Sequence, residues 1–132
     1  MRNILALDIG QRRIGLAIAK ENIISTYGIV ENTDLTKTIA EINRIVREQG
    51  IEQIVIGIPK NKDTFEADKI HKFALELAKT ANLPIEYVDE TLTSKEAERQ
   101  LLNSGLDPKS EKYKQEIDKI SAQLILEQHL NQ

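Results

Sequence analysis

Runs of apolar residues separated by short polar segments divide the chain into strands and helices. Residues 4–7 and 14–19 are apolar at almost every position, which predicts two strands buried on both faces. Residues 23–30 supply a third strand. Because the connections between these three segments are short, we expect an antiparallel meander.

The period of the pattern then changes from strand to helix. Asp34 is a candidate cap for a first helix that ends at Gly50. A fourth buried strand is predicted over residues 51–58. The apolar positions that recur at helical spacing between the two cap residues are Leu35, Ile39, Ile42, Ile45 and Val46.

Two capping boxes predict the next helices. Asp63 with Glu66 opens a second helix that ends at Asn82, and Thr93 with Glu96 opens a short helix that stops near Gly105. Between them, residues 85–88 read as a fifth strand. A polar stretch over residues 104–111 is a candidate mobile loop that orders on substrate binding. A last helix carries Ile117, Ile120, Leu124 and Ile125.

The element order is therefore β-β-β-α-β-α-β-α-α. Two later strands that each follow a helix indicate parallel crossovers beside the meander. We predict one α/β domain over residues 1–132, with a five-stranded mixed sheet flanked by helices.

Composition and charge narrow the class of protein. With 132 residues and 40% hydrophobic content, the chain is long enough to form one hydrophobic core but too short for two stable domains. There is no cysteine, which excludes disulfides and thiolate metal sites; with no signal peptide or membrane-spanning stretch apparent, we expect a cytoplasmic protein. The net charge of −3 argues against nucleic-acid binding by bulk charge, so any such role needs a local basic patch.

Carboxylates occur at three separated places that the topology could bring together. Asp8 ends the first strand, Asp89 and Glu90 follow the fifth, and Asp118 lies near the start of the last helix. The carboxyl ends of parallel strands share one edge of a sheet, where ligands collect. Converging carboxylates would hold Mg²⁺ or Mn²⁺ for phosphodiester hydrolysis.

Each of these acids also has a simpler interpretation. Asp8 could cap a turn, the strand-end acids could be turn residues, and Asp118 could be a first-turn acid that favours the helix dipole. Strand alternation leaves open whether Asp89 or Glu90 points inward. His71 and His129 are interpreted as surface residues rather than ligands.

The separated motifs together resemble the YqgF/RuvX family, a bacterial group with a ribonuclease H-like fold related to Holliday-junction resolvases. The match covers nearly the whole chain. The segments that carry the resemblance are Leu7-Asp8-Ile9-Gly10, Arg13-Ile14-Gly15, Gly57-Ile58-Pro59 with Asn61 and Asp63, Asp89-Glu90 with Leu92-Thr93, and Ile117-Asp118 with Ala122.

The resemblance implies that Asp8, Glu90 and Asp118 are the catalytic, metal-binding acids, and so it selects Glu90 over Asp89. It implies a nuclease that matures the 5′ end of pre-16S rRNA, with the ribosomal subunit as a further candidate partner. Junction resolution is the activity of some members. The substrate-binding candidates are Arg13, Lys60, Asn61 and Lys62, each of which could instead lie on a solvated rim.

Two positions depart from the family pattern. Thr64 replaces an expected glycine, and Thr91 replaces an expected arginine beside Glu90. Since arginine grips phosphate through two hydrogen bonds and threonine does not, the second change puts substrate affinity in question more than metal binding.

Three functions therefore compete. A metal-dependent endonuclease, as a monomer or homodimer, accounts for the three acids. A ribosome-associated RNA-binding module with little hydrolysis fits the acidic pI and Thr91. A nucleotide site of the actin or sugar-kinase type fits the Asp8 turn but would need a second domain.

Overall fold

The computed structural model describes residues 2–59, 64–90 and 93–131, with Ser94 described by its backbone alone. Five strands form one mixed sheet in the order β3-β2-β1-β4-β5. β2 pairs antiparallel with β1 and β3, as the predicted meander requires. β4 pairs parallel with β1 and β5, which confirms the predicted parallel crossovers and shows where they insert. The strands are β1 (Ile4–Ile9), β2 (Arg13–Lys20), β3 (Ile23–Glu31), β4 (Gln53–Ile58) and β5 (Ile85–Asp89).

Four helices follow the predicted order and flank the sheet. None of the helices in the described ranges is long and apolar enough to cross a bilayer. The helices are α1 (Leu35–Gln49), α2 (Phe65–Ala81), α3 (Thr93–Gln100) and α4 (Glu111–Leu130).

The ends of α1 form as the local signals predict. The Asp34 side chain accepts a hydrogen bond from the Thr36 backbone N–H at 2.8 Å. Gly50 closes the helix in the left-handed conformation with φ 61°, which glycine adopts without steric cost. Asn82 ends α2 in the same conformation, with φ 55°.

Both predicted capping boxes need correction. Thr64, not Asp63, caps α2: its hydroxyl accepts from the Ala67 backbone N–H at 3.1 Å. Thr93 lies inside α3, and its hydroxyl donates to the Glu90 carbonyl oxygen at 2.9 Å. Each threonine takes a local backbone partner that the spacing of residue types does not reveal.

α3 ends earlier than predicted, so the connection to α4 is longer and contains less helix. α3 ends at Gln100, and hydrogen-bonded turns continue toward Gly105, which has a φ of 82°. Ser110 then caps α4 by accepting from the Tyr113 backbone N–H at 3.1 Å. The mobility of the segment over residues 104–111 stays a prediction.

Successive side chains of the central strand β1 point alternately into two hydrophobic layers, one on each face of the sheet. Leu5 and Leu7 pack on one face against α1 and α2. Ile4 and Ala6 pack on the other face against α4. Each fully buried leucine stabilises the fold by about 1.5–3 kcal/mol relative to an exposed one. The layers therefore fix which face of the sheet every strand-end residue presents.

Candidate active site

Asp8 lies near the carboxyl end of β1, on the face of the sheet that α4 covers. It follows Ile4 and Ala6 at a spacing of two, and both belong to the α4-side layer. The neighbouring strand places Gly15 directly opposite Asp8. The carboxylate expected at this strand end is half-buried and is directed toward α4.

Glu90 lies on the same face, because it comes two residues after Val88, which belongs to the α4-side layer. Its backbone N–H donates to the Ile58 carbonyl oxygen at 2.9 Å, which extends the strand geometry by one residue. A Cβ at Gly57 would lie 2.9 Å from Glu90 Oε2, so the glycine leaves room for this carboxylate. Asp89 is exposed on the other face. The geometry thus favours Glu90 over Asp89.

Asp118 lies about two turns into α4, and it is therefore neither near the start of the helix nor a first-turn acid, contrary to the sequence-based expectation. Ala122 and Ile125, one and two turns further on, are fully buried, as the spacing predicted. A Cβ at Gly15 would collide with the Asp118 carbonyl oxygen. The glycine thus lets α4 pack directly on β2 beside Asp8.

Burial raises the pKa of all three acids, and the charges of the other two add to the shift at Asp8. The pKa of Asp8 is raised well above its ordinary value, first by burial and then by the charges of Glu90 and Asp118. Burial also raises the pKa of Glu90, whereas its hydrogen bond with Asp8 acts in the opposite direction. The structure therefore brings Glu90 and Asp118 each within electrostatic reach of Asp8.

Arg13 ties Asp118 to the beginning of α4. One guanidinium nitrogen, Nη1, lies 3.4 Å from Asp118 Oδ2, and Nη2 donates to Glu111 Oε1 at 2.5 Å. Burial raises the pKa of Asp118, and Arg13 partly offsets that shift. Only 13% of the Arg13 side chain is exposed, so it is a paired residue of the site and not part of a solvated rim.

The carboxylates suit a hard divalent cation, although they are not arranged around one. Among the described residues, no three His, Cys, Asp or Glu side chains stand at metal-binding geometry. Asp8 and Glu90 share a hydrogen bond instead, and Asp118 faces Arg13. All the donors are carboxylate oxygens, which are the ligands that Mg²⁺ and Mn²⁺ prefer. Because burial disfavours the negative charge of these groups, a cation beside them would be stabilising.

Sequence reasoning missed Glu66 as part of this region. This residue in the first turn of α2 adds negative charge that raises the pKa of both Asp8 and Glu90. The sequence pattern predicts it only as half of a capping box. No local signal identifies it, because its relation to β1 depends on how α2 packs.

A small basic cavity adjoins Asp118. It encloses about 280 Å³ and is lined in part by Arg12, Arg13 and Lys114. Lys114, one helical turn before Asp118, was not predicted. Arg12 and Lys114, together with the paired Arg13, therefore form a candidate for the local basic patch that an acidic protein needs to bind nucleic acid.

Several residues that the sequence predicts to bind substrate, or that depart from or carry the family pattern, lie outside the described ranges. Lys60, Asn61 and Lys62 are outside the described residues, as are Asp63 and Thr91.

The histidines are less exposed than surface residues would be. The His71 ring meets the Tyr87 ring edge-on at 5.0 Å between centroids. His129 has only 14% of its side chain exposed, and its Nδ1 lies 3.4 Å from Glu86 Oε2. Neither contact involves the three acids.

A family comparison covers nearly the entire chain. Residues 2–132 match the model of the family described as "RuvX: Holliday junction resolvase".

Curated relatives agree with this match. A protein of Trichormus variabilis named as a candidate pre-16S rRNA nuclease is 38% identical over 132 residues, which span 96% of this chain and 86% of the relative. A protein of Chloroflexus aurantiacus with the same name is 38% identical over 133 residues, with 97% and 86% coverage.

Solved structures share the fold at low sequence identity. T. thermophilus RuvC in complex with a Holliday junction substrate superposes with a TM-score of 0.62 at 15% identity, covering 99% of this chain and 96% of RuvC. The fowlpox virus resolvase in complex with substrate Holliday junction DNA gives 0.54 at 17% identity, covering 98% and 99%. The expected ribonuclease H-like fold is confirmed, and the family match together with the 38% identical relatives shows that this chain belongs to the RuvX family of nucleases.

Proposed function

We propose that the protein is a metal-dependent endonuclease in which Asp8, Glu90 and Asp118 bind the metal and carry the catalysis. The observation that carries this proposal is that Asp8, at the end of β1, lies within electrostatic reach of both Glu90, which follows β5, and Asp118 on α4. A carboxylate buried among like charges is unfavourable unless a cation compensates it. The proposed cation is Mg²⁺ or Mn²⁺.

The acids contribute to hydrolysis through their oxygens. When bound, the divalent ion supplies an activated water and stabilises the leaving oxygen. Asp8 and Glu90 would bind the cation as ionised carboxylates, so the cation would compete with the proton that the raised pKa of Asp8 favours. Arg13 would hold the Asp118 carboxylate in place as the third proposed metal ligand.

Arg13 is the proposed contact to the scissile strand. Its guanidinium already lies between Asp118 and Glu111, and the adjoining basic cavity extends the positive charge. Guanidinium groups bind phosphate oxygens through paired hydrogen bonds, which would orient the phosphodiester beside the acids. Lys60, Asn61 and Lys62 remain proposed substrate contacts on the basis of the family pattern.

The proposed substrate is the 5′ region of pre-16S rRNA. The names of the curated relatives support this choice. The proposal has the protein acting in the cytoplasm, where it would meet the ribosomal subunit. Branched DNA is the second candidate, supported by the family description. Cutting both strands of a junction would need a homodimer, whereas cutting one RNA strand needs only a monomer.

The test compares two substrates under one set of conditions. Wild-type protein and Asp8→Asn are incubated with Mg²⁺ or Mn²⁺ and either a pre-16S leader RNA or a four-way DNA junction. We expect cleavage of the RNA that Asp8→Asn abolishes. Junction cleavage alone would transfer the assignment to a resolvase, and RNA binding without cleavage would leave a binding module.

A further inference from the structure

A second cavity lies at the same end of the sheet, on the face opposite α4. It encloses about 520 Å³ between the β1–β2 turn and the first turns of α2. Ile9, Ile70 and Phe73 form its apolar floor, continuous with the layer beneath α1 and α2. Its size falls within the range of pockets that enclose small organic groups.

Polar groups surround that apolar floor at the mouth of the cavity. Gln11, Asn32 and Thr33 line it and supply amide and hydroxyl groups. The Asn32 side chain is held from its donor end, since Nδ2 donates to the Gly10 carbonyl oxygen at 2.8 Å. An apolar floor with neutral hydrogen-bonding groups around it suits a flat heteroaromatic ring.

An exposed aromatic ring stands at the entrance. Phe65, the first residue of α2, is 75% exposed, although a phenylalanine of a stable core would be buried. Lys69 Nζ lies 4.6 Å from the ring centroid and covers one face of the ring. An exposed cation–π contact is weak, so the lysine can exchange it for a phosphate.

The cavity and the three acids are separated only by the thickness of the sheet. Asp8 and Ile9 are adjacent in β1 and point to opposite faces, the first toward α4 and the second into the cavity. Glu66 lines the cavity and is close enough to raise the pKa of Asp8. A strand that crosses this edge of the sheet would meet both places with neighbouring nucleotides.

We propose that this cavity is a base subsite, in which an unstacked nucleobase of the substrate strand stacks on Phe65 beside the cleavage site. The inference rests on the proposed nuclease function and specifies its substrate as a nucleic acid with an unpaired base close to the scissile phosphate. Single-stranded bases stack readily on aromatic side chains, whatever their sequence. Lys69 then contacts the phosphate that follows the stacked base.

The charges of the cavity favour a base over a phosphate as its occupant. The lining contains the negative charge of Glu66 as well as the positive charge of Lys69, so a phosphate in the cavity would be repelled by the Glu66 carboxylate. A neutral ring avoids this repulsion, and its exocyclic amino groups can donate to the Glu66 carboxylate or to the amide oxygens. The phosphates of the strand are better placed outside, near Lys69.

The absence of tryptophan from the chain allows a direct test by fluorescence. Phe65→Trp keeps a stacking ring at the entrance, and Leu75→Trp places the same probe further along α2 at a position that is 66% exposed. Each variant is titrated in EDTA, so that no metal-dependent cleavage occurs. The probes are a short single-stranded pre-16S leader RNA, the same strand with abasic positions, and the corresponding DNA strand.

We expect the base-bearing RNA or DNA to quench the fluorescence of Phe65→Trp, and the abasic strand to leave it unchanged. Leu75→Trp should respond to neither. Phe65→Ala should bind the base-bearing strand roughly tenfold more weakly than wild type, as measured by anisotropy of a labelled strand.

Equal quenching by the abasic and base-bearing strands would overturn the proposal, since it would indicate phosphate contacts only. Unchanged affinity in Phe65→Ala, or the absence of any binding, would also overturn it. The result is separate from the nuclease proposal, because loss of cleavage in the presence of metal leaves binding in EDTA unaffected.

Discussion

At the scale of single residues, Asp8 is held in a position that opposes folding. Burial and the charges of Glu90 and Asp118 raise its pKa, so the ionised form is disfavoured in the metal-free protein. Such placement is characteristic of functional sites, where an ionisable group with a shifted pKa lowers the folding stability but serves the chemistry of the site.

The pH dependence of stability follows from the direction of this shift. Because the folded protein holds the Asp8 proton more tightly than the unfolded chain does, the free energy of unfolding falls as pH rises from about 4 through the raised pKa. In EDTA at pH 7, Asp8→Asn should therefore be more stable than wild type by about 1 kcal/mol or more. Its stability should also vary less between pH 4 and 7.

Urea unfolding at several pH values measures both effects. Glu98→Gln serves as the control, because Glu98 is an exposed carboxylate of α3, and its stability should follow that of wild type. A metal-free Asp8→Asn protein that is less stable than wild type at pH 7 would show that Asp8 has a structural role instead.

The residues of the site differ in how much the sequence reveals. Asp8 and Asp118 could be singled out as candidates from local signals, namely a strand end and helical spacing, whereas the choice of Glu90 over Asp89 needed the family resemblance. Glu66 and Lys114 could not be singled out, since each acts across a packing interface between elements distant in sequence. Local patterns carry no information about such contacts.

At the scale of elements, the site depends on how closely α4 approaches β2. The backbone of α4 at Asp118 comes so near Gly15 that no side chain fits between them. Gly28, on the neighbouring strand β3, has no atom within 4 Å of the place where a Cβ would stand. These two glycines form a matched pair for testing the contact.

Gly15→Ala should destabilise the protein by about 1–3 kcal/mol, because the added methyl group forces α4 away from the sheet. Gly28→Ala should be neutral or slightly stabilising. Chemical denaturation measures both changes. Equal stabilities of the two variants would contradict the proposed approach of α4 to β2.

Helix and strand identity was predictable because hydrophobic periodicity and cap residues are local properties. The order of elements, the antiparallel meander of β1 to β3, the parallel pairing of the later strands and the caps of α1 all agree with the predictions. The cap of α2 and the role of Thr93 were not predictable, because several nearby side chains compete for the same backbone groups.

At the scale of the whole molecule, a net charge of −3 limits how the protein holds nucleic acid. The positive charge beside Asp118 comes from three side chains, Arg12, Arg13 and Lys114. Since each neutralised phosphate contributes about −0.9 for a duplex and about −0.7 for a single strand, the slope of log K against log salt should be only about −2 to −3.

Lys114→Ala should make that slope shallower by about one, because one phosphate contact is lost. Lys112→Ala, an exposed lysine one position from Glu111 on α4, should leave the slope unchanged. Binding of leader RNA in EDTA over a range of salt concentrations measures the slope. The same reduction in both variants would indicate a diffuse charge effect and contradict a local patch.

The central claim is that Asp8, Glu90 and Asp118, and not Asp89, form the reactive centre. The most direct measurement is single-turnover cleavage of leader RNA in Mn²⁺ by Asp8→Asn, Glu90→Gln, Asp118→Asn and Asp89→Asn. We predict at least a hundredfold loss of rate in the first three variants and a rate close to that of wild type in Asp89→Asn. Near-normal cleavage by Glu90→Gln, or a loss in Asp89→Asn as large as in Asp8→Asn, would contradict the assignment.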